Sequence, residues 1–362
     1  MHTSLWTIIR LLAWTEGYFR SFDIDSPRLT AEILLSHVLN IRRLDLYLQF
    51  DRPLSTNELA LYKALIKRRV EKEPVAYITG VKGFWNSQFF VTPDVLIPRP
   101  DTETLVESAL ALVEQKKQAM KDTVGVQDNS GKLISMLGKD IYGEKRLKVL
   151  ELGTGSGAVI ISLAMANPDV LFYATDISPD ATAVALKNSI NLSVSNDVSA
   201  SNAASISSDL SPSDDSLKLS SVDVPVERVG LANLFFLSGS WFLPIKKGVC
   251  FDLIVSNPPY IPTSDIKNLQ QEVREYEPVL ALDGGVEGIS CLKEILEAAP
   301  DYLESDGFLL IEMGFDQKQR LEHEVVSISK YDKPVFIKDY AGHHRVVSLQ
   351  KKIKNIENKN KI

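Results

Sequence analysis

An apolar run that ends in two consecutive prolines is the feature that most restricts how this chain folds. Residues 251–256 are Phe-Asp-Leu-Ile-Val-Ser, which is typical of a buried strand, and Asn-Pro-Pro-Tyr follows at 257–260. Proline fixes φ and has no N–H, so the strand must stop there, and Asn257 stands at its end with a set backbone direction. The sequence therefore predicts a strand that delivers an asparagine side chain to the edge of a sheet.

The polar groups at this strand end are mostly hydrogen-bond acceptors. The side-chain oxygen of Asn257 and the carbonyls of Asn257 and Pro258 can accept, whereas Pro258 and Pro259 have no N–H to donate. Acceptors beside the ring of Tyr260 suit a planar –NH2 group, which has two donors and a flat face. A rigid turn after a strand would explain Asn-Pro alone, but the whole tetrapeptide favours chemistry on an amino or amide nitrogen.

Composition excludes several other classes of protein. The 362 residues exceed the usual size of one domain, so we expect two. The net charge of −7 argues against a protein that holds nucleic acid mainly through its phosphates. Cys250 and Cys291 lie in apolar stretches without the spacing of a zinc site or a disulfide, which predicts buried thiols and no metal. Residues 1–20 resemble neither a signal peptide nor a membrane span, so the sequence predicts a cytoplasmic protein.

The chain divides into regions with different patterns. Residues 1–74 have the period of amphipathic helices and nearly balanced charge, 11 Lys and Arg against 9 Asp and Glu, which predicts a small helical domain that docks a partner. Residues 75–100 are predicted to form an extended linker or hairpin, with residues 84–91 extended. Residues 101–350 form the second domain, and a Lys-rich tail follows at 351–362.

Strands and helices alternate in the second domain. The predicted strands are 147–152, 170–175, 234–237, 251–256, 307–312, 334–338 and 345–349, and helices over 158–166 and 181–191 lie between some of them. This alternation predicts a doubly wound, mainly parallel sheet of the α/β class. Two weakly patterned stretches, 116–145 and 195–221, interrupt it. The second has 11 serines in 27 positions, so both are predicted to be surface insertions.

A glycine-rich turn follows the first strand of that alternation. Gly153–Gly157 link the strand to a helix start, which allows a ligand to approach the backbone closely, and Asp176 ends the next strand, where a carboxylate can accept from ribose hydroxyls. Gly153, Gly155 and Ala158 also satisfy the relaxed dinucleotide fingerprint, so NAD stays open. Glu151 would oppose a pyrophosphate and favours a cationic amino-acid end, as in S-adenosylmethionine.

Together these residues resemble the release-factor glutamine methyltransferases, the PrmC/HemK family of class I methyltransferases. The resemblance rests on residues 83–103, which include Ile-Pro-Arg-Pro-Asp-Thr-Glu at 97–103, on the glycine turn and on the Asn257–Tyr260 loop. Residues 276–285 and the helical region from Thr30 onward also fit. The family's sheet has seven strands, which is the expectation for this chain.

The resemblance implies methyl transfer from S-adenosylmethionine to the glutamine amide of the Gly-Gly-Gln motif in peptide-chain release factors. The sequence gives no sign of oligomerisation, and a monomer is the default expectation. The resemblance implies a cofactor site made of Gly153, Thr154, Gly155, Ser156, Gly157, Asp176, Trp241 and Asn257. It further implies a catalytic set of Asn257, Pro258 and Tyr260, and a substrate side made of Asn257, Pro258, Pro259, Tyr260 and Arg99.

One departure from the family concerns the adenine end of the cofactor. Many relatives carry an acidic residue just before the position of Trp241, where this chain has Ser240.

The alternative functions for this chain are methylation of a different protein glutamine, methylation of adenine in DNA, an NAD-dependent oxidoreductase and a non-catalytic docking protein. Because no His or carboxylate adjoins Asn257 in sequence, the predicted mechanism relies on positioning the amide rather than on a strong base.

Overall fold

The computed structural model describes residues 6–124, 146–200 and 230–352. Its helices are α1 (Ile8–Arg20), α2 (Pro27–Leu39), α3 (Arg43–Leu48), α4 (Thr56–Val70), α5 (Val75–Thr79), α6 (Glu103–Val124), α7 (Ala158–Ala166), α8 (Pro179–Ala200), α9 (Gln271–Tyr276), α10 (Ser290–Ala298) and α11 (Lys318–Ile328). Its strands are β1 (Val81–Phe84), β2 (Ser87–Phe90), β3 (Lys148–Leu152), β4 (Leu171–Asp176), β5 (Leu234–Ser238), β6 (Phe251–Ser256), β7 (Leu303–Glu312), β8 (Val335–Lys338) and β9 (His344–Gln350).

The first four helices pack around a core of their own. The core is formed by buried apolar side chains that include Ile8, Leu12, Phe19, Leu34, Leu35 and Tyr62. Helix α4 begins with a capping box, in which Ser55 Oγ accepts from the Glu58 N–H at 3.2 Å and the Glu58 carboxylate accepts from the Ser55 N–H at 2.7 Å. The helical nature of this region agrees with its periodicity.

The segment between the two regions is a hairpin preceded by a short helix. Helix α5 occupies the start of the predicted linker, and β1 and β2 pair in an antiparallel register, with Phe84 opposite Ser87. The prediction of one extended run over 84–91 was therefore wrong at its start. Trp85 has φ +52°, a turn conformation that reverses the chain and returns the buried Phe89 to the sheet domain.

The second region contains a seven-stranded sheet in the order β5-β4-β3-β6-β7-β9-β8. The pairs from β5 to β7 are parallel, whereas β9 is antiparallel to both β7 and β8. Each of the seven predicted strands is present, with bounds shifted by a few residues. Helices α6 and α7 cover one face of the sheet, and α10 and α11 cover the other. The prediction of a mainly parallel, doubly wound α/β sheet is confirmed.

The connections reverse direction at the centre of the sheet. The chain runs outward from β3 through β4 to β5 and then returns to β6 on the other side of β3. In open α/β sheets, ligands bind at such a switch point, beyond the carboxyl ends of the strands. The glycine turn, Asp176 and Asn257 follow or end β3, β4 and β6, so they meet at this edge.

The predicted insertions begin later than the sequence pattern indicated. Helix α6 continues through Val124, although a loop was predicted from residue 116. Lys116 is buried within this helix, and its Nζ lies 2.9 Å from Asp306 Oδ2. Helix α8 likewise continues through Ala200. The remaining parts of these predictions, 125–145 and 201–221, and the tail from 353 lie outside the described residues.

Two contacts join the helical region to the segment that follows the Asn257 loop. Arg69 is buried, and its Nη1 lies 2.8 Å from the carboxylate of Glu272 on α9. The hydroxyl of Tyr276 donates to the Glu71 carbonyl at 2.7 Å.

Among the helices that the structure describes, none combines the length and apolar composition needed to cross a membrane.

Candidate active site

A cavity of about 520 Å³ opens at the carboxyl edge of the sheet, between the glycine turn and the Asn257 loop. Its walls include nine of the twelve predicted site residues, namely Arg99, Gly153, Thr154, Gly155, Ser156, Asp176, Trp241, Asn257 and Pro259. The other three, Gly157, Pro258 and Tyr260, lie behind the wall: Gly157 is the N-cap of α7, Pro258 is buried, and Tyr260 packs on the core below the loop.

The glycine turn has a backbone that only glycine adopts without strain. Gly153, Gly155 and Gly157 have φ of +70°, +55° and +80°. A Cβ on Gly157 would lie 3.1 Å from Ala185 Cβ, so this glycine allows the start of α7 to pack closely on α8. A Cβ on Gly155 would meet no atom within 4 Å, so the backbone there is open to the cavity. The turn thus has space for a ligand at a helix N-terminus.

Asp176 holds the glycine turn from the next strand. Its Oδ2 accepts from the Gly155 N–H at 2.8 Å, and its Oδ1 accepts from the Ser178 N–H at 2.9 Å. Burial raises the pKa of this carboxyl, while the two backbone donors act in the opposite direction. Each oxygen keeps a second lone pair, so the carboxylate can still accept from a ligand hydroxyl in the cavity.

Glu151 is a buried carboxyl at the same end of the cavity. It is 2% exposed and accepts a hydrogen bond from the Thr154 hydroxyl. Burial, with a smaller contribution from the charge of Asp176, raises its pKa to about 8. No Lys or Arg of the described chain forms an ion pair with it. A cationic ligand group at this position would pair with the Glu151 carboxylate and favour its ionised form.

Asn257 is fixed on the cavity wall beside the glycine turn, because Leu152 and Ser256 pair at the ends of β3 and β6. We call the part of the cavity around Asn257 its amide end and the part around the glycine turn its glycine end. Asn257 Nδ2 donates to the Thr102 hydroxyl at 3.2 Å, so that Oδ1 is left as the acceptor that the side chain can offer to a ligand. Thr102 belongs to a short 3₁₀ turn, Pro100–Thr102, at the start of the sheet domain. Thr102, which is far from Asn257 in sequence, thus determines that the Asn257 side chain presents a hydrogen-bond acceptor to the cavity.

Tyr260 points away from the cavity toward a second buried carboxyl. Its hydroxyl donates to Glu312 Oε1 at 3.3 Å. Glu312 ends β7 and is fully buried, and burial raises its pKa to about 7. The predicted packing of the Tyr260 ring on a substrate amide is not visible in this arrangement, in which the tyrosine supports the loop from below.

Arg99 lines the cavity and is held in an ion pair. Its guanidinium bonds to the carboxylate of Glu277, which is 4% exposed and also accepts from the Ile97 N–H at 3.1 Å. Burial raises the pKa of Glu277, and Arg99 partly offsets this. Arg99 therefore fixes the segment after the Asn257 loop against the linker.

Thr102, Glu277 and Glu312 were not among the site residues predicted from the sequence. A signal was present for Glu312, because it is the polar residue that ends the apolar run 307–311 of the strand beside the one that carries Asn257. Cys291 lines the cavity and Cys250 is only partly buried, so the prediction of two buried thiols was too strong. In the described part of the chain, no three His, Cys, Asp or Glu side chains are grouped as metal ligands would be.

Comparison with known proteins gives matches along nearly the whole chain. Residues 10–80 match the family model of the PrmC N-terminal domain, and residues 101–210 match a model described as lysine methyltransferase. A release factor glutamine methyltransferase from Geobacter sulfurreducens is 36% identical over 87% of this chain and 87% of its own length. This chain belongs to the release factor glutamine methyltransferase family.

Two further relatives extend the match. The release factor glutamine methyltransferase of Chlorobaculum tepidum is 35% identical over 86% of this chain and 87% of its own, and that of Rhodopirellula baltica is 32% identical over 96% and 97%. The family resemblance inferred from residues 97–103 and the Asn257 loop is thereby confirmed. The chain is a methyltransferase, and the cavity at the switch point is its candidate active site.

Proposed function

We propose that this methyltransferase uses S-adenosylmethionine to methylate the side-chain amide of the glutamine in the Gly-Gly-Gln motif of peptide-chain release factors. The main support is the fixed amide of Asn257, which leaves an oxygen acceptor at the cavity where an amide –NH2 would need one. The relatives named release factor glutamine methyltransferase support the same substrate, because the match covers 87% and 97% of the length of two of them.

The residues at the glycine end fit the proposed cofactor. The open backbone at Gly155 gives room for the ligand, and Asp176 offers acceptors for ribose hydroxyls. The uncompensated carboxyl of Glu151 suits the ammonium of the amino-acid part, and Trp241 offers an aromatic face on the same wall. When bound there, S-adenosylmethionine supplies an electrophilic methyl group on a sulfonium.

The chain's own contribution to the reaction is then positioning. An amide nitrogen is a weak nucleophile because its lone pair is delocalised. Asn257 Oδ1 and the Pro258 carbonyl are proposed to accept the two amide hydrogens and to aim the nitrogen. Positive charge builds on that nitrogen as it reacts, so fixed carbonyl dipoles stabilise the transition state more than the ground state. Good orientation of two reactants can contribute about 7–11 kcal/mol.

We further infer that the helical region docks the release factor and that the protein acts as a cytoplasmic monomer. Arg69 and Tyr276 connect that region to the segment beyond the Asn257 loop, so a partner on the helices would lie beside the cavity. Adenine in DNA presents the same pair of donors, but the net charge of −7 disfavours a DNA substrate. A different protein glutamine remains chemically equivalent.

The decisive experiment is peptide mass spectrometry of a purified release factor after incubation with the enzyme and S-adenosylmethionine. We expect one added methyl group, located on the glutamine of the Gly-Gly-Gln motif. A release factor with asparagine in place of that glutamine is the matched control, because it keeps the amide but shortens its reach.

An unmodified release factor, with cofactor binding demonstrated by calorimetry, would contradict the proposed substrate. Ribosomal proteins and an adenine-containing oligonucleotide would then be assayed under the same conditions, since both offer a planar –NH2 group. Methylation of the asparagine variant at the same rate would contradict the proposed alignment of the glutamine.

A further inference from the structure

Three residues from distant parts of the chain meet at the cavity wall, where Thr102 and Asn257 line the cavity and Glu312 lies behind them. Ser256 pairs with Ile311 in the sheet, so Asn257 and Glu312 each stand one residue beyond a paired position on adjacent parallel strands. Thr102 reaches the same place from the Pro100–Thr102 turn. Thr102 is 5% exposed and Glu312 is fully buried, so water has little access to this group.

The hydroxyl of Thr102 connects the other two side chains. It accepts from Asn257 Nδ2 at 3.2 Å, and it lies beside the carboxyl of Glu312, whose Oε2 has no well-aligned hydrogen-bond partner among the described residues. This buried oxygen is the acceptor open to the proton of the Thr102 hydroxyl. A hydroxyl has one proton, so a Thr102 that donates to Glu312 must present its lone pairs to Asn257. Only the –NH2 side of the asparagine can bond to those lone pairs.

We propose that Glu312 is a positioning residue that acts through Thr102 to set which side of the Asn257 amide faces the cavity. This inference rests on the proposed function, in which Asn257 Oδ1 must meet a substrate –NH2. A flipped Asn257 would present its own –NH2 to the substrate and could not accept. The Glu312–Thr102–Asn257 relay prevents that flip.

The charges around Glu312 make the relay sensitive to protonation. Arg345 favours the carboxylate, but Arg345 is shared with Asp101 and Asp339, each at 3.1 Å, and Asp101 acts against the carboxylate. Tyr260 donates to Oε1, and Oε2 makes no well-aligned hydrogen bond with a described residue. A protonated Glu312 can donate to Thr102, which frees the Thr102 hydroxyl to donate to Asn257 Oδ1. Turnover should therefore fall as the pH drops below about 7.

The first test compares T102V, T102S and E312Q by methyl transfer to the release factor. T102V has nearly the same shape without the hydroxyl, so we expect kcat to fall by about 10²-fold while KM for S-adenosylmethionine stays the same. T102S should restore most of the lost turnover. E312Q should have a lower kcat than the wild type, and its kcat should no longer decline as the pH falls below about 7. Thermal denaturation checks that each variant is folded.

The second test does not depend on the substrate. The side-chain amide ¹⁵N–¹H resonances of Asn257, assigned by their loss in N257A, should shift in T102V and E312Q but much less in T102S, and in the wild type they should titrate near pH 7. An inactive wild type with these shifts would contradict the proposed function alone. Unchanged resonances, or a T102V enzyme with normal kcat, would overturn the relay.

Discussion

The two ends of the cavity are built in different ways. The glycine end comes mostly from one continuous stretch, β3, the turn and the start of α7, with Asp176 added from the neighbouring strand. The amide end joins Thr102, Asn257 and Glu312, which come from three separate segments. Local backbone conformation thus shapes the first end, and tertiary contacts between side chains shape the second.

Each end nevertheless contains a buried carboxyl with a raised pKa. Glu151 lies behind the glycine turn with a pKa of about 8, and Glu312 lies behind Asn257 with a pKa of about 7. Glu151 accepts from the Thr154 hydroxyl, and Glu312 is proposed to accept from that of Thr102. In the proposed mechanism, Glu151 faces the charge of the ligand, whereas Glu312 acts on a protein side chain. Variants at the two ends should therefore separate cofactor affinity from turnover.

The largest expected effect is at Asn257. N257A removes the acceptor at the amide end, and we expect kcat to fall by about 10²–10³, equivalent to about 2.7–4 kcal/mol, as for loss of one transition-state hydrogen bond. The affinity for S-adenosylhomocysteine should change little, because the glycine turn and Asp176 are untouched. Single-turnover methyl transfer and calorimetry measure the two quantities. A near-normal kcat would contradict the positioning mechanism.

Asp176 should give the opposite result. In D176N, one oxygen that accepts a backbone N–H becomes an –NH2, so the donor of Gly155 or Ser178 loses its partner. An unpaired buried donor costs about 1–3 kcal/mol. We expect the Kd for S-adenosylhomocysteine to rise by about tenfold or more, with kcat at saturating cofactor little changed.

The control for this variant is D180N, which removes a carboxylate from the exposed first turn of α8. It has the same change of charge close in sequence but no contact with the glycine turn. Equal losses in D176N and D180N would mean that general electrostatics, rather than the geometry of the turn, governs cofactor binding.

The same contrast explains what sequence alone could predict. Gly153–Gly157 and Asp176 were identified because strand, turn and helix follow one another locally, and the prolines after Asn257 fix the end of β6. Thr102 and Glu312 could be placed on a turn and at a strand end, but their meeting depends on the register of β6 against β7. The start of the hairpin was misjudged because Trp85 adopts a positive φ that tertiary packing must stabilise.

The two buried carboxyls should make the protein less stable as the pH rises. A carboxyl whose pKa is higher in the folded state keeps its proton on folding, so its contribution to stability is present below its unfolded pKa and is lost as the pH rises through its folded pKa. For Glu151 this range extends from about 4.5 to about 8, and for Glu312 to about 7. Each group contributes a slope of about 1.4 kcal/mol per pH unit within its range.

Urea denaturation without cofactor at pH 5, 6, 7 and 8 tests this. E151Q should flatten the fall in the free energy of unfolding up to about pH 8, and E312Q only up to about pH 7. Identical slopes in the wild type and both variants would mean that neither carboxyl keeps its proton in the folded protein. Added cofactor should weaken the pH dependence of stability that is due to Glu151 and leave that due to Glu312 unchanged, because of the two carboxyls only Glu151 lines the cavity.

The smallest expected effect is at Tyr260, whose hydroxyl contacts Glu312 rather than the cavity. Y260F removes one neutral donor from Glu312 Oε1, a loss of about 0.5–1.5 kcal/mol and at most roughly tenfold in kcat. Because that hydrogen bond favours the carboxylate, the acid limb of the pH–rate profile should move to higher pH. A fall in kcat as large as that of N257A, with no movement of the acid limb, would instead assign Tyr260 a direct contact with the substrate amide.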